Sequence, residues 1–275
     1  MILDGKKIAR EIYKELEKKI KQLETPPTLG AVLVWENSAS LRYIRQKQKF
    51  SEKIGMWFQL FHFPKDISEE ALLTEIHALN QSKKISGYIV QLPLPKHIDA
   101  LTIIWNIDPK KDVDGFHPEN QWKVMIHDPS GFVPCTPAGV MKLFESYHIS
   151  FIGKKVVILG RSNIVGKPLT ILCINAGATV ISCNSKTPDI SVYTKDADIV
   201  ICATGQAHLL KADMTSPHTV IIDVWFSIQD EIIYGDADTQ GFITQWNPIT
   251  PVPGGVGPLT VAMLLSNTLL AHSKH

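Results

Sequence analysis

Tyr43 and Lys47 stand four residues apart in a segment with helical patterning, so they share one helix face. A phenol and an amine on one face could orient a substrate and move a proton. An unperturbed lysine, with a pKa of about 10.4, is almost wholly protonated at neutral pH, and working as a base there takes about 4 kcal/mol of differential destabilisation of the ammonium. The plainer reading is a solvated basic face, because Arg42, Arg45 and Lys49 surround the pair. Gln91 closes an apolar run and precedes Leu92-Pro93-Leu94-Pro95. In a parallel sheet the carboxyl ends of strands face the ligand crevice, which makes a polar residue there a site candidate. Lys111-Asp112-Val113-Asp114-Gly115-Phe116 offers carboxylates in a loop, with ordinary turn chemistry as the alternative.

A second set of residues points to phosphate. Strand-like Val156 to Leu159 runs into Gly160-Arg161-Ser162-Asn163-Ile164-Val165-Gly166 and then an apolar helical stretch with Pro168 near its start. The free amides and dipole of such a strand-to-helix turn attract an anion. Ser162 occupies the place of the second glycine of the usual G-x-G-x-x-G, so a simple tight turn stays open as an alternative. The next strand ends in Cys183-Asn184-Ser185-Lys186-Thr187, with no acid to bind ribose hydroxyls. Arg161, Ser185 and Lys186 suit a ribose phosphate instead, which favours NADP over NAD. Near the C-terminus, Thr250 to Thr260 is dense in glycine and proline, and Pro253, Gly254 and Gly255 would let backbone approach a ligand closely. A linker is the alternative.

The elements that must position these residues alternate. Leu29 to Val34, Met56 to Phe63 and Gly87 to Leu92 read as strands, separated by helices from about Ser40 to Ile54 and from a Ser68 cap to about Leu79. Ser40 is expected to cap the first of these helices and Gly55 to end it. A polar, loop-rich stretch from Asp108 to Pro134 interrupts the pattern, and Thr136-Pro137 opens a new helix. Alternation then resumes with Lys155 to Leu159, Thr179 to Cys183, Ile199 to Ala203 and Val220 to Asp223. The fold class is α/β: two α/β domains with parallel sheets covered on both faces, and a boundary near residue 140. The last helix, roughly Pro258 to His272, is expected to pack back on the first domain.

With 275 residues, 44% hydrophobic and 20% charged, the chain suits a globular protein with a substantial core. A formal charge of +1 argues against a dedicated nucleic-acid binder. The basic stretch Lys6 to Lys21 carries Ile8, Ile12, Leu16 and Ile20 at every fourth position, an amphipathic helix with a solvated face. Neither a leader nor a membrane span is expected. Cys135, Cys173, Cys183 and Cys202 show no metal spacing, and reduced thiols in a cytosolic protein are the expectation.

Taken in order, these segments resemble the bifunctional methylenetetrahydrofolate dehydrogenase/methenyltetrahydrofolate cyclohydrolase family. The resemblance rests on Ala39-Ser40 with Tyr43 and Lys47, Val90 to Pro95, Lys111 to Phe116, Pro134-Cys135-Thr136-Pro137, Gly160 to Gly166 with Pro168, and Thr250 to Thr260. It implies a folate-binding catalytic domain (1–139, with 258–275), a Rossmann-like NADP-binding domain (140–257), and a folate cleft between them. It implies oxidation of 5,10-methylenetetrahydrofolate by NADP and hydrolysis of the methenyl product to 10-formyltetrahydrofolate, in one-carbon metabolism and purine biosynthesis. By the same resemblance Lys47 is the central catalytic group, Tyr43 positions the folate, Gln91 tunes the lysine and Asp114 binds the pterin. Pro253, Gly254 and Gly255 would contact substrate, and Gly160, Arg161, Ser162, Ile164, Val165, Gly166, Ser185 and Lys186 would hold the cofactor. No metal is called for, and a cytoplasmic homodimer is implied. Trp35 and Trp225 stand where family members usually carry glycine, and Asn184 where histidine is common. A relative keeping one activity, a non-catalytic folate- or nucleotide-binding relative, and an unrelated two-domain dehydrogenase are the competing readings.

Overall fold

The computed structural model describes residues 1–35, 38–229 and 232–274. In chain order the first elements are α1 (Gly5–Ile20), β1 (Thr28–Val34), α2 (Ser38–Lys53), β2 (Trp57–Phe63), α3 (Glu69–Gln81) and β3 (Gly87–Val90). Next come α4 (Ala100–Trp105), α5 (Pro118–Met125), α6 (Cys135–Ser146), β4 (Lys155–Leu159), α7 (Gly166–Asn175) and β5 (Thr179–Cys183). The last are α8 (Ser191–Thr194), β6 (Ile199–Cys202), β7 (Val220–Asp223), β8 (Phe226–Gln229), β9 (Ile232–Gly235), α9 (Thr239–Thr244) and α10 (Val256–His272).

Two compact units share these elements. The lysine unit combines Glu11–Lys123, Asp128–Cys135 and Val261–His275, and the turn unit combines Met1–Arg10, Val124–His127 and Thr136–Thr260. The last residue of the expected C-terminal segment, His275, lies outside the described residues.

In the lysine unit the sheet order is β2-β1-β3, all parallel. Every residue of β1 is buried, whereas four of the seven in β2 are exposed, so cover on both faces holds at the centre and not along this edge. The Lys111–Val113 segment runs beside β3: Tyr88 N donates to Lys111 O at 2.9 Å, and Tyr88 bridges Asp112 in parallel. Val32, Leu72, Ile76, Tyr88 and Ile103 pack into one core. Helix α3 begins as its residues dictate, with Ser68 Oγ accepting the Ala71 amide at 3.1 Å and Glu69 and Glu70 in the first turn. Helix α2 starts at Ser38, so Ser40 lies in its first turn and does not occupy the expected cap position. Gly55 closes this helix in the left-handed region, at φ +82°. The stretch expected to be loop also contains α5, whose eight residues are too few for a helical period to stand out.

In the turn unit the order is β5-β4-β6-β7, again all parallel. Val157, Leu159, Val200, Cys202, Ile221 and Phe242 form its core. The β8–β9 antiparallel hairpin was not legible as strands. In each sheet the first strand lies between the next two, so the direction of growth reverses at the carboxyl ends of β1 and β4. Such reversal points are where open α/β sheets bind ligands. Among the described residues no helix is long and apolar enough to cross a membrane.

Candidate functional site

Helix α2 carries Tyr43 and Lys47 one turn apart, as their spacing requires. Lys47 Nζ donates to Gln91 Oε1 at 3.1 Å. Gln91 is itself fixed, because its backbone amide donates to Val32 O at 2.9 Å and its side-chain nitrogen to Leu92 O at 2.8 Å. With the nitrogen committed to a carbonyl, the side-chain oxygen is the end left for the lysine. Burial pulls the Lys47 ammonium below its ordinary pKa, while Asp114 and Cys135 oppose that shift. The Tyr43 phenol is pushed up by burial, against the pull of Arg42, so it keeps its proton at neutral pH.

The loop after α4 holds two carboxylates with opposite circumstances. Asp112 is saturated by donors: Gly115 N at 3.1 Å, Phe116 N at 3.2 Å, His117 N at 2.8 Å and Asn120 Nδ2 at 2.8 Å. It builds the loop. Lys111 is structural as well, donating to Leu79 O at 3.0 Å and to Ser82 O across the end of α3. Asp114 is the carboxylate turned to Lys47, and burial raises its pKa to about 6, with Lys47 opposing and Asp112 reinforcing the shift. Gly115 follows it at φ +75°, where a Cβ would lie 2.7 Å from Pro134 N, so only glycine fits.

Lys47, Gln91 and Asp114 are therefore brought together within one unit. Cys135 joins them without having been singled out: its thiol donates to Val113 O at 3.3 Å with Asp114 as an alternative acceptor, and burial pushes its pKa well up. The signal was the Pro134-Cys135-Thr136-Pro137 run. Asn267 was also missed; its Nδ2 donates to Val113 O at 2.9 Å and Val133 O at 3.1 Å. A lone asparagine inside the apolar helix α10 was its only mark.

Trp35 follows β1 at φ +69°, a conformation that explains why glycine suits this position. A tryptophan there carries a backbone cost of about 1–2 kcal/mol. Lys65 Nζ sits 4.6 Å from the ring centroid, a cation–π contact that offsets part of it. Trp225 is half-buried just after β7.

In the turn unit, Gly160 follows β4 at φ +112°, and a Cβ on it would lie 2.3 Å from Ala203 O. A Cβ on Gly166 would lie 2.2 Å from Gly160 O. Both glycines are thus demanded by close approach of strand, turn and helix. Ser162 Oγ accepts the amides of Val165 at 3.2 Å and Gly166 at 3.4 Å, which ties the turn to the start of α7 where Ile164 is half-buried and Val165 buried. Gly166→Ala is expected to destabilise the protein by about 1–3 kcal/mol through overpacking, read as a melting temperature several degrees lower with weaker NADP binding.

Arg161, Ser185 and Lys186 are exposed at the ends of the neighbouring strands β4 and β5, which Gly160 N joins by donating to Cys183 O at 2.9 Å. Asn184 shapes this turn, its Oδ1 accepting the Lys186 amide at 3.0 Å. Cations that pair with no acid among the described residues, beside a glycine turn at a helix start, fit a phosphorylated ribose. Two buried carboxylates brace the same end of the sheet. Asp236 Oδ2 accepts Thr204 N at 2.6 Å and Gly205 N at 3.1 Å, and Asp223, pushed by burial to about 7, accepts the amides of Asp236 and Ala237 at 3.0 and 2.9 Å.

Pro253, Gly254 and Gly255 also belong to the turn unit. Gly254 and Gly255 permit a close approach to the chain's own start. A Cβ on Gly5 would lie 1.9 Å from Gly255 O, Lys6 N donates to Gly254 O at 3.1 Å, and Gly254 sits at φ +120°.

Comparison with known proteins gives a consistent result. Residues 3–114 match the family model of the tetrahydrofolate dehydrogenase/cyclohydrolase catalytic domain, and residues 134–275 that of its NAD(P)-binding domain. The bifunctional protein FolD of Aquifex aeolicus is 44% identical, covering 100% of this chain and 96% of its own. The crystal structure of the bifunctional enzyme FolD from Campylobacter jejuni is 42% identical, covers 100% of this chain and 99% of its own, and superimposes with a TM-score of 0.98. That of the Trypanosoma brucei enzyme, complexed with NADP cofactor and an inhibitor, is 33% identical with a TM-score of 0.93, covering 100% and 97%.

Proposed function

The chain belongs to the tetrahydrofolate dehydrogenase/cyclohydrolase family, and from that premise we propose a division of labour among its residues. The protein is an NADP-dependent enzyme that oxidises 5,10-methylenetetrahydrofolate to the methenyl cation and hydrolyses this to 10-formyltetrahydrofolate. The observation that carries the residue assignment is the 3.1 Å hydrogen bond from Lys47 to Gln91 beside the carboxylate of Asp114.

Asp114 accepts two parallel hydrogen bonds from the amino and ring N–H groups of the pterin. Tyr43, a protonated phenol on the same helix face as Lys47, orients the folate. What NADP supplies when bound is a hydride acceptor, and Gly160, Arg161, Ser162, Ile164, Val165, Gly166, Ser185 and Lys186 hold it. In the hydrolysis, water adds to the methenyl carbon as the neutral Lys47 Nζ takes its proton. The added hydroxyl then gives up its proton as the C=O of the formyl group forms and the C–N bond of the five-membered ring breaks, and the departing nitrogen takes a proton in exchange. The cationic substrate favours neutral Lys47 by repulsion, adding to the effect of burial. Gln91 holds the amine at the reacting position by accepting its hydrogen bond. Pro253, Gly254 and Gly255 line the substrate.

Function divides near residue 140 on this reading: residues 1–139 with the last helix serve folate, and 140–257 serve NADP. Residues 1–10, 124–127, 136–139 and 258–260, which pack with the turn unit, are the exceptions. A cytoplasmic homodimer supplying formyl groups for purine biosynthesis completes the proposal; the four free, buried cysteines suit a reducing compartment.

The test follows absorbance of NAD(P)H and the methenyl intermediate with purified protein, 5,10-methylenetetrahydrofolate and either NADP or NAD. NADPH formation with little accumulated intermediate is expected, and no turnover with either cofactor would refute the reading. Lys186→Glu is expected to raise KM for NADP roughly 10- to 100-fold, the worth of a charge-assisted hydrogen bond, with KM for NAD little changed. Equal effects on both would place the phosphate contact elsewhere.

A further inference from the structure

We propose that Asn267, on the last helix, is a positioning residue that sets the orientation of Asp114. The inference rests on the reading of Asp114 as the pterin-binding carboxylate. One amide nitrogen has two hydrogens, and Asn267 spends them on two carbonyls far away in sequence: Val113 O at 2.9 Å and Val133 O at 3.1 Å. The Val113 carbonyl belongs to the peptide whose nitrogen is that of Asp114, so holding it fixes the plane from which the carboxylate projects. The Val133 carbonyl belongs to the segment that Gly115 packs against, where a Cβ would meet Phe132 O at 2.8 Å and Pro134 N at 2.7 Å. Asn267 thus ties together the loop carrying Asp114 and the segment that backs it. The Cys135 thiol completes the clamp, donating to the same Val113 carbonyl at 3.3 Å and lying 3.7 Å from Asn267 Nδ2.

Helix stability does not account for an asparagine here. It is a poorer helix former than leucine or alanine, and its neighbours Leu264, Leu265 and Ala271 are buried apolar residues. What asparagine supplies that they cannot is a pair of donors at one point. Misplacing a binding group by about 1 Å costs up to roughly 100-fold, so losing the clamp has a measurable consequence even though Asn267 itself touches no reacting atom.

The experiment measures dissociation constants of the full-length protein for tetrahydrofolate and, separately, for NADP. Asn267→Leu keeps the bulk and removes the donors; Asn267→Ala serves as a second variant without added volume. Each is made alone and in an Asp114→Asn background, and assayed well below its own melting temperature. Either single variant is expected to weaken tetrahydrofolate binding about tenfold and leave NADP binding unchanged, with no further loss in the Asp114→Asn background. Unchanged tetrahydrofolate affinity in both single variants, equal weakening for NADP, or the same tenfold loss in both backgrounds would overturn the inference. If Asp114→Asn itself binds tetrahydrofolate normally, the pterin reading falls and the inference falls with it.

Discussion

Lys47→Met is expected to cut cyclohydrolase turnover by at least about a thousandfold, within the range general acid–base groups contribute, while NADP affinity and melting temperature stay near those of the parent. Methionine keeps the length and much of the apolar stem of lysine and lacks only the amine. The lost hydrogen bond leaves Gln91 Oε1 without the Lys47 donor that lies 3.1 Å away, a cost of about 1–3 kcal/mol for an unsatisfied acceptor. Removing a charge that burial disfavours offsets part of that. Stability therefore changes little and turnover collapses. The measurement is decay of methenyltetrahydrofolate absorbance beside a thermal melt. Full cyclohydrolase activity in the variant would remove Lys47 from the chemistry and return it to the solvated basic face that its neighbours suggested.

The fold was legible where pattern and chemistry coincide. Lys155–Leu159, Thr179–Cys183 and Val220–Asp223 are strands at the expected residues, because apolar runs of this length between turn signals admit little else. Short helices such as α5 and the β8–β9 hairpin escaped, since eight or fewer residues give no clear period. For the site, sequence pointed to Lys47, Gln91 and Asp114, and the sheet order explains their meeting: β3 and the Lys111–Val113 segment run side by side. Nothing in the spacing distinguished the two carboxylates of that loop. Only the donors around Asp112 show that it is consumed by the backbone while Asp114 remains available. The glycines of the C-terminal loop carry a role that sequence did not show. In sequence they read as a place where backbone can approach a ligand; the structure adds that Gly255 also meets Gly5, a contact 250 residues distant that no local pattern announces.

Asp114→Ala separates binding from stability. A carboxylate that receives two hydrogen bonds from the pterin is worth about 2–4 kcal/mol, so KM for 5,10-methylenetetrahydrofolate is expected to rise roughly 30- to 1,000-fold, with KM for NADP unchanged. The parent enzyme should also lose folate affinity as pH falls through about 6, where burial places the Asp114 pKa. Below that value the carboxyl carries a proton where the pterin needs a lone pair. In Asp114→Ala that acid limb of kcat/KM should disappear. The linkage to folding has the opposite sense. Because folding raises this pKa above its ordinary value, Asp114 favours the folded state at low pH, and that contribution is lost as pH rises through about 6. At pH 8 the parent holds an ionised carboxylate that its surroundings disfavour, and the alanine variant is relieved of it. Melting at pH 8 should therefore show no loss of stability in a protein that has lost most of its folate affinity. A variant that melts much lower and weakens both ligands alike would show that Asp114 holds the loop together, as Asp112 does, and does not bind the pterin.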